Sequence, residues 1–365
     1  MAVRSIHPRG LAEILRGPAL RHVLASILMI GAVACAPMER PGETAQTERA
    51  DPFTPKRADA SAEELRAWAQ WNEHTQKLST DLIALIERLD EVDIVSQRML
   101  EGDELPITGE RKAQAILESI REAYAQTNQE VDALAPVTLA NEKWDALSRA
   151  AVRHIQRLRD QVGLAIATTE KAVAAAARHD RSAYGRLVMR SLENAIAILN
   201  AENITVDLFN ATLDPHYPQH ALNESVKHAN EALIAVLAFI KDGMPPGATM
   251  AYKAAVDESL GAMRLAISEG RDNIESRKGR VDQLQMLDPA NAQILSRAFD
   301  TYYQSFDVEE RIMGSLQTMT QEVFEPKQPS AVHEVLSRVE AEFGALVDQR
   351  ARLQEQRTAM VGHMR

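Results

Sequence analysis

Beyond Ser61 the chain meets helix-breaking residues at only a few well-separated places: GDELPITG at 102–109, Ala135-Pro136, DPHYPQ at 214–219, DGMPPG at 242–247, Asp288-Pro289 and EPKQPS at 325–330. Proline lacks the amide donor that a helix interior needs and disfavours helical geometry in the residue before it, so each cluster acts as a stop. Between the stops the sequence is rich in Ala, Leu, Glu, Gln and Arg, the residues of highest helix propensity. A chain punctuated this sparsely folds as long helices.

Eight helices are expected, over about 61–101, 109–134, 139–178, 182–213, 220–242, 248–286, 289–325 and 330–362. Ser61-x-x-Glu64 has the form of a capping box, in which each side chain satisfies a backbone amide of the opening turn. Leu65, Trp68, Leu78, Leu82, Leu85, Leu89 and Val92 then follow three- and four-residue spacing along the first helix. His179-Asp180-Arg181 divides the third helix from the fourth. Asp288-Pro289 reads as a cap with a first-turn proline, and Ser330 as the cap of a last helix striped with Val332, Val335, Leu336, Val339, Phe343, Leu346 and Val347.

The two sets of four helices look like copies of one unit. LIALIERL at 82–89 recurs as LIAVLAFI at 233–240, VDAL at 131–134 as VDQL at 281–284, and ANEKWDALSRA at 140–150 as ANAQILSRA at 290–298. The last offset continues without a gap into the fourth helices, aligning Ser182-Ala183 with Ser330-Ala331, Arg190 with Arg338 and Ala197 with Ala345. So many helical residues exceed what one core serves comfortably, whereas roughly 150 residues suit a four-helix bundle. The expected fold is all-α: a tandem pair of four-helix bundles over 61–215 and 216–365, or an elongated rod if one helix runs on from the first bundle into the second.

Cys35 is the only cysteine, and it closes an apolar run. Arg4, Arg9, Arg16 and Arg21 precede the uncharged stretch Val23 to Ala34, which is too short to cross a bilayer as a helix and has the anatomy of an export signal. Ala32-Val33-Ala34-Cys35 resembles the lipobox of bacterial lipoproteins, with Ala32 where Leu is usual; the A-x-A of Ala32 and Ala34 also suits ordinary cleavage. The resemblance implies cleavage of residues 1–34 between Ala34 and Cys35, diacylglyceryl transfer to the Cys35 thiol and acylation of the new amino terminus. With Ala36 rather than Asp after the cysteine, it further implies sorting to the outer membrane, on the periplasmic side. Residues 35–60 carry Pro, Gly, Thr and charges with few large apolar side chains, which suits a disordered tether with a reach of about 25–30 Å.

Removing the four arginines and one glutamate of residues 1–34 leaves 37 basic and 51 acidic side chains, a formal charge of −14. A surface of that sign repels phosphate backbones and anionic lipids, so nucleic acid is excluded as a partner and membrane attachment falls to the lipid on Cys35. No cysteine remains for an internal disulfide, so packing alone must stabilise the fold.

Chemistry-bearing motifs are scarce. None of the ten histidines follows a Glu by three residues, as di-iron bundles require, and C-x-x-C-H, H-E-x-x-H, G-x-S-x-G, Walker and EF-hand spacings are all missing. The best polar cluster is Asp214, His216, His220, Glu224 and His228 at the junction of the halves. Within it His216, His220 and Asp214 are the weak candidates for a metal site, and an ordinary inter-domain turn is the better reading. His228-Ala229-Asn230-Glu231 resembles the H-x-x-E of imelysin-like periplasmic proteins, without the Gly that precedes it there. Trp68 and Trp71, Trp144, and Phe299, Tyr302, Tyr303 and Phe306 read as core aromatics, with a peptide or glycan surface the alternative were Trp71 exposed. No catalytic residue and no cofactor is assigned. The expected function is that of a non-enzymatic, lipid-anchored adaptor or scaffold that binds another envelope component, the alternative being a module that binds a small ligand or metal in or between the bundles.

Overall fold

A computed structural model describes residues 62–138, 142–211, 213–243, 245, 247–325 and scattered helical positions over 342–356. The export signal, Cys35, the tether and the Ser61 and Ser330 caps lie outside the described residues, as does the side chain of Trp144.

Seven helices and no strands make up the described residues: α1 (Ala62–Glu101), α2 (Pro106–Ala133), α3 (Glu142–Ala177), α4 (Arg181–Asn210), α5 (Pro218–Lys241), α6 (Thr249–Leu287) and α7 (Pro289–Phe324). Seven replaces the expected eight because the last helix is described only at isolated positions, such as Leu346, Arg350 and Leu353, all helical and buried. No described helix is long and apolar enough to cross a membrane. Two helices start earlier than expected. Pro106 and Pro218 sit at the first helical turn, where the missing amide would have had no partner, so they open α2 and α5 rather than delaying them. Asp180 caps α4 as its sequence suggests, accepting from the Ala183 amide at 2.9 Å. Gly102 at φ 89° and Gly243 at φ 79° end α1 and α5 in the left-handed conformation that glycine adopts without strain.

Helices α1, α2 and α3 pack on one another, as do α5, α6 and α7, so corresponding helices of the two halves have corresponding neighbours. Two apolar cores result. The first gathers Trp68, Leu78, Leu82, Leu89, Leu117, Ile120, Leu158 and Val162; the second gathers Leu233, Leu237, Ile240, Met263, Ile274, Phe306, Ile312 and Leu316, with Leu346 and Leu353 from the last helix. Each side chain of this size contributes about 1.5–3 kcal/mol on full burial.

Helix α4 belongs to both cores. Tyr184, Val188, Ile198 and Phe209 face the first, while Leu192, Ala195 and Leu199 face the second. Its partner across the halves is α5, which returns antiparallel after the turn at 211–217: Asp207 meets Lys227, Asn210 meets Asn223, and Glu202 meets Asn230. The link between the halves is therefore a reversal and not the continuous helix that a rod would need. It sets the halves side by side along α4 and α5. At the far end Arg181 Nη2 donates to the Leu100 carbonyl at 3.1 Å, which holds the α3–α4 turn against the end of α1.

Candidate functional site

The junction singled out in the sequence resolves into a turn and a polar seam. Asp214 Oδ1 accepts from the His216 amide at 2.9 Å, an Asx turn that helps the chain reverse, and Tyr217 N–H closes it on the Asp214 carbonyl at 2.8 Å. His216 is exposed and His220 half-buried. From there an unusually polar contact runs between α4 and α5. Tyr302 Oη donates to Gln219, Gln219 to Asn223 at 2.7 Å, Asn223 to Asn210 at 2.8 Å, and Asn210 to Glu224 at 2.6 Å. Two turns further, Asn230 bridges Glu202 and Asn203 at 3.2 and 3.0 Å. Gln219, Asn223, Asn230 and Glu202 are all buried and hydrogen-bond along the seam, while Asn230 Oδ1 has no hydrogen-bond partner among the described residues.

His228 lies on the same seam. Its Nδ1–H donates to Glu231 Oε2 at 2.8 Å, while Glu224 Oε2 stands 3.8 Å from Nε2. The hydrogen bond from His228 holds the Glu231 carboxyl below the ordinary range, against the opposing effect of burial. Burial also works against the Lys227 ammonium, but its hydrogen bond to Asp207 and the nearby Glu224 and Glu231 charges raise its pKa on balance. The two glutamates approach opposite ring nitrogens of His228 and so do not converge on one point. Among the described residues no three His, Cys, Asp or Glu side chains are placed to hold a metal ion. Chemically the seam is a register device: buried amides that pair only one way fix how α4 lies on α5.

The aromatic candidates are core. Trp68 and Trp71 stack at a centroid distance of 5.1 Å, both buried, and Trp71 Nε1–H donates to the Ala135 carbonyl at 2.8 Å. Trp71 therefore offers no exposed platform. Phe299, Tyr302 and Phe306 are buried in the second core, and Tyr303 packs at its edge.

Two concavities flank α3 and α4, lined by residues for which the sequence raised no expectation. A cleft of about 350 Å³ opens between His154, Arg157, Leu158 and Gln161 on α3 and Ile198, Ala201 and Ile204 on α4. On the inner side, α4 packs closely on α3 and α5 but more loosely on α1, and a cavity of about 60 Å³ remains among Asp90, Gln161, Thr169, Ser191 and Asn194. Gln161 and Ile198 line both spaces and form the wall between them. His154 is buried and pushed down to about 4 by loss of hydration and then by the Arg157 charge, so its imidazole is neutral at neutral pH. Neither His154 Nδ1 nor Gln161 Oε1 has a hydrogen-bond partner among the described residues. The available signal was a polar residue on an apolar stripe: His154 is in phase with Leu147, Leu158 and Val162.

No protein-family model matches this chain, and comparison with curated proteins and with solved structures returns no match. The fold and its surfaces are therefore the basis for a functional reading.

Proposed function

We propose that this protein is a lipid-anchored, non-enzymatic adaptor of the bacterial outer membrane, held on the periplasmic side through Cys35 and engaging another envelope component with the far end of its helical part. The supporting observation is where exposed apolar side chains lie relative to the tether. The tether delivers the chain to the start of α1, whose 40 residues carry it about 60 Å away. At that far end Leu105 and Ile107 are 74% and 70% exposed on the α1–α2 turn. The antiparallel α4–α5 pairing points the α5–α6 turn the same way, and there Met250 is 76% exposed. Single exposed apolar residues are ordinary, and Leu265 and Met286 are others elsewhere on the chain, but Leu105 and Ile107 stand together on one turn at the end remote from the start of α1, which suits a contact surface. The acidic surface favours a protein or peptidoglycan-associated partner over nucleic acid.

In-cell cross-linking of the wild type, Cys35→Ser and Leu105→Glu/Ile107→Glu, followed by separation of membrane and soluble fractions, tests this reading. The expected result is a stoichiometric partner captured by the wild type, lost with the charged tip, and displaced along with the protein from the membrane fraction when the thiol is removed. A protein that remains alone in every cross-linked fraction refutes the adaptor role.

A further inference from the structure

The α3–α4 cleft stands apart from both the tip and the polar seam, and its residues are matched to a particular kind of small molecule. We propose that it binds a small amphipathic carboxylate: an organic acid with an apolar body and one hydroxyl or N–H donor at the end remote from the acid.

The cleft, at about 350 Å³, falls within the roughly 300–1,000 Å³ range of ligand sites. Its wall is mostly aliphatic, from Leu158, Ile198 and Ile204, with Ala201 letting the two helices leave a groove between them. Arg157 supplies the only charge among the lining residues; it is exposed and makes no ion pair among the described residues. A guanidinium presents paired donors in the plane that a carboxylate accepts, so the acid group belongs there. The deeper polar groups differ in kind. Gln161 Oε1 is an unpartnered acceptor, and His154, only 6% exposed, is a neutral imidazole whose Nδ1 is also unpartnered. Such groups oppose burial unless something meets them; a hydroxyl or N–H can donate to Gln161 Oε1, and to His154 Nδ1 in the tautomer that carries its proton on Nε2.

The corresponding positions of the second half carry different side chains. At the offset of 148 residues set by Leu147 and Leu295, Gln161 corresponds to Glu309 and Glu202 to Arg350. There the two form a buried, two-point ion pair between α7 and the last helix. Leu164, 47% exposed on α3, corresponds to Ile312, which is fully buried.

The test is calorimetric titration of the full chain with 3-(4-hydroxyphenyl)propionate, compared with 3-phenylpropionate, which lacks the hydroxyl. Saturable binding at one site is expected, weakened about tenfold by Arg157→Gln on the solvent side of the cleft. The hydroxylated probe is expected to bind several-fold more tightly than its parent, and His154→Phe, which preserves an apolar packing volume, is expected to reduce that preference. Absence of saturation at millimolar probe, or binding unaltered by Arg157→Gln, overturns the proposal. Because Arg157 is exposed, that variant decides the matter even if His154→Phe disturbs the fold.

Discussion

The two halves solve the same packing problem with different side chains, and the contrast is sharpest where α3 is set beside α7. Residues Ala172, Ala175 and Ala176 on α3 correspond to Thr320, Val323 and Phe324 on α7, all buried. His154 corresponds to Tyr302, whose hydroxyl reaches Gln219, and Gln161 to Glu309, whose carboxylate takes Arg350 at both oxygens. Larger side chains occupy these positions in the second half, with Glu309 paired to Arg350, whereas in the first half His154 and Gln161 line a cleft of about 350 Å³; the second half has its own cleft elsewhere, about 390 Å³ between α6 and α7. The three described helices that pack together in each half pair alike, so the difference at these positions is one of side-chain volume and polarity.

Breaking the ion pair is the strongest way to test that contrast. Arg350→Met leaves Glu309 buried without its partner and is expected to cost about 3–5 kcal/mol in urea unfolding. The double variant Arg350→Met/Glu309→Leu is expected to recover most of that loss, because two apolar side chains leave no stranded charge. Retention of full stability by Arg350→Met alone would show that the pair contributes nothing to closing the second half.

The first half has its own sensitivity, to pH. Burial, and then the Arg157 charge, pushes His154 down to about 4 in the folded protein from its ordinary value of 6.5. The unfolded chain therefore takes up a proton that the native one refuses between those values. Stability is expected to fall as pH drops from 6.5 toward 4, by up to about 3 kcal/mol from this residue, and no further below that. His154→Phe is expected to flatten that part of the profile, measured by urea midpoints at neutral and mildly acidic pH. An unchanged slope in the variant would place the acid sensitivity elsewhere.

Smaller effects distinguish tight from open helix contacts. A Cβ at Gly270 would lie 2.0 Å from Phe306 Cζ, so Gly270→Ala is expected to destabilise by about 1–3 kcal/mol through overpacking of α6 on α7. Gly185 on α4 has no such neighbour within 4 Å, and Gly185→Ala is expected to stabilise by about 0.5–1 kcal/mol, since alanine loses less backbone freedom in a helix. Thermal unfolding of the two variants side by side checks the opposite signs.

Much of this architecture was legible before any coordinates. The spaced breakers mark most of the helices, His179-Asp180-Arg181 divides α3 from α4, and the apolar stripe of α1 names Trp68, Leu78, Leu82, Leu85, Leu89 and Val92, all of them buried. Helices α2 and α5 start earlier than their breaker clusters suggest, because Pro106 and Pro218 stand in the first turn, where a proline loses no hydrogen bond. The site was far less legible. His216 and His220 drew notice by sitting together in a Pro-rich loop, where Asp214 serves the turn. His154 and Gln161 gave only the weak signal of polar residues on a buried face, and His154 became conspicuous once its burial and its unpartnered nitrogen were known.

The sequence by itself determined that the chain after Ser61 is helical, where most helices stop, and which faces are apolar, because propensity, proline geometry and three- to four-residue spacing are local properties. Only the tertiary structure decided that α4 serves two cores, that α5 folds back along it through a chain of buried amides, and that α3 and α4 leave a cleft where the second half has an ion pair. Those outcomes depend on which side chains meet across helices far apart in sequence, and on whether their combined volume and hydrogen bonds fill the space between them.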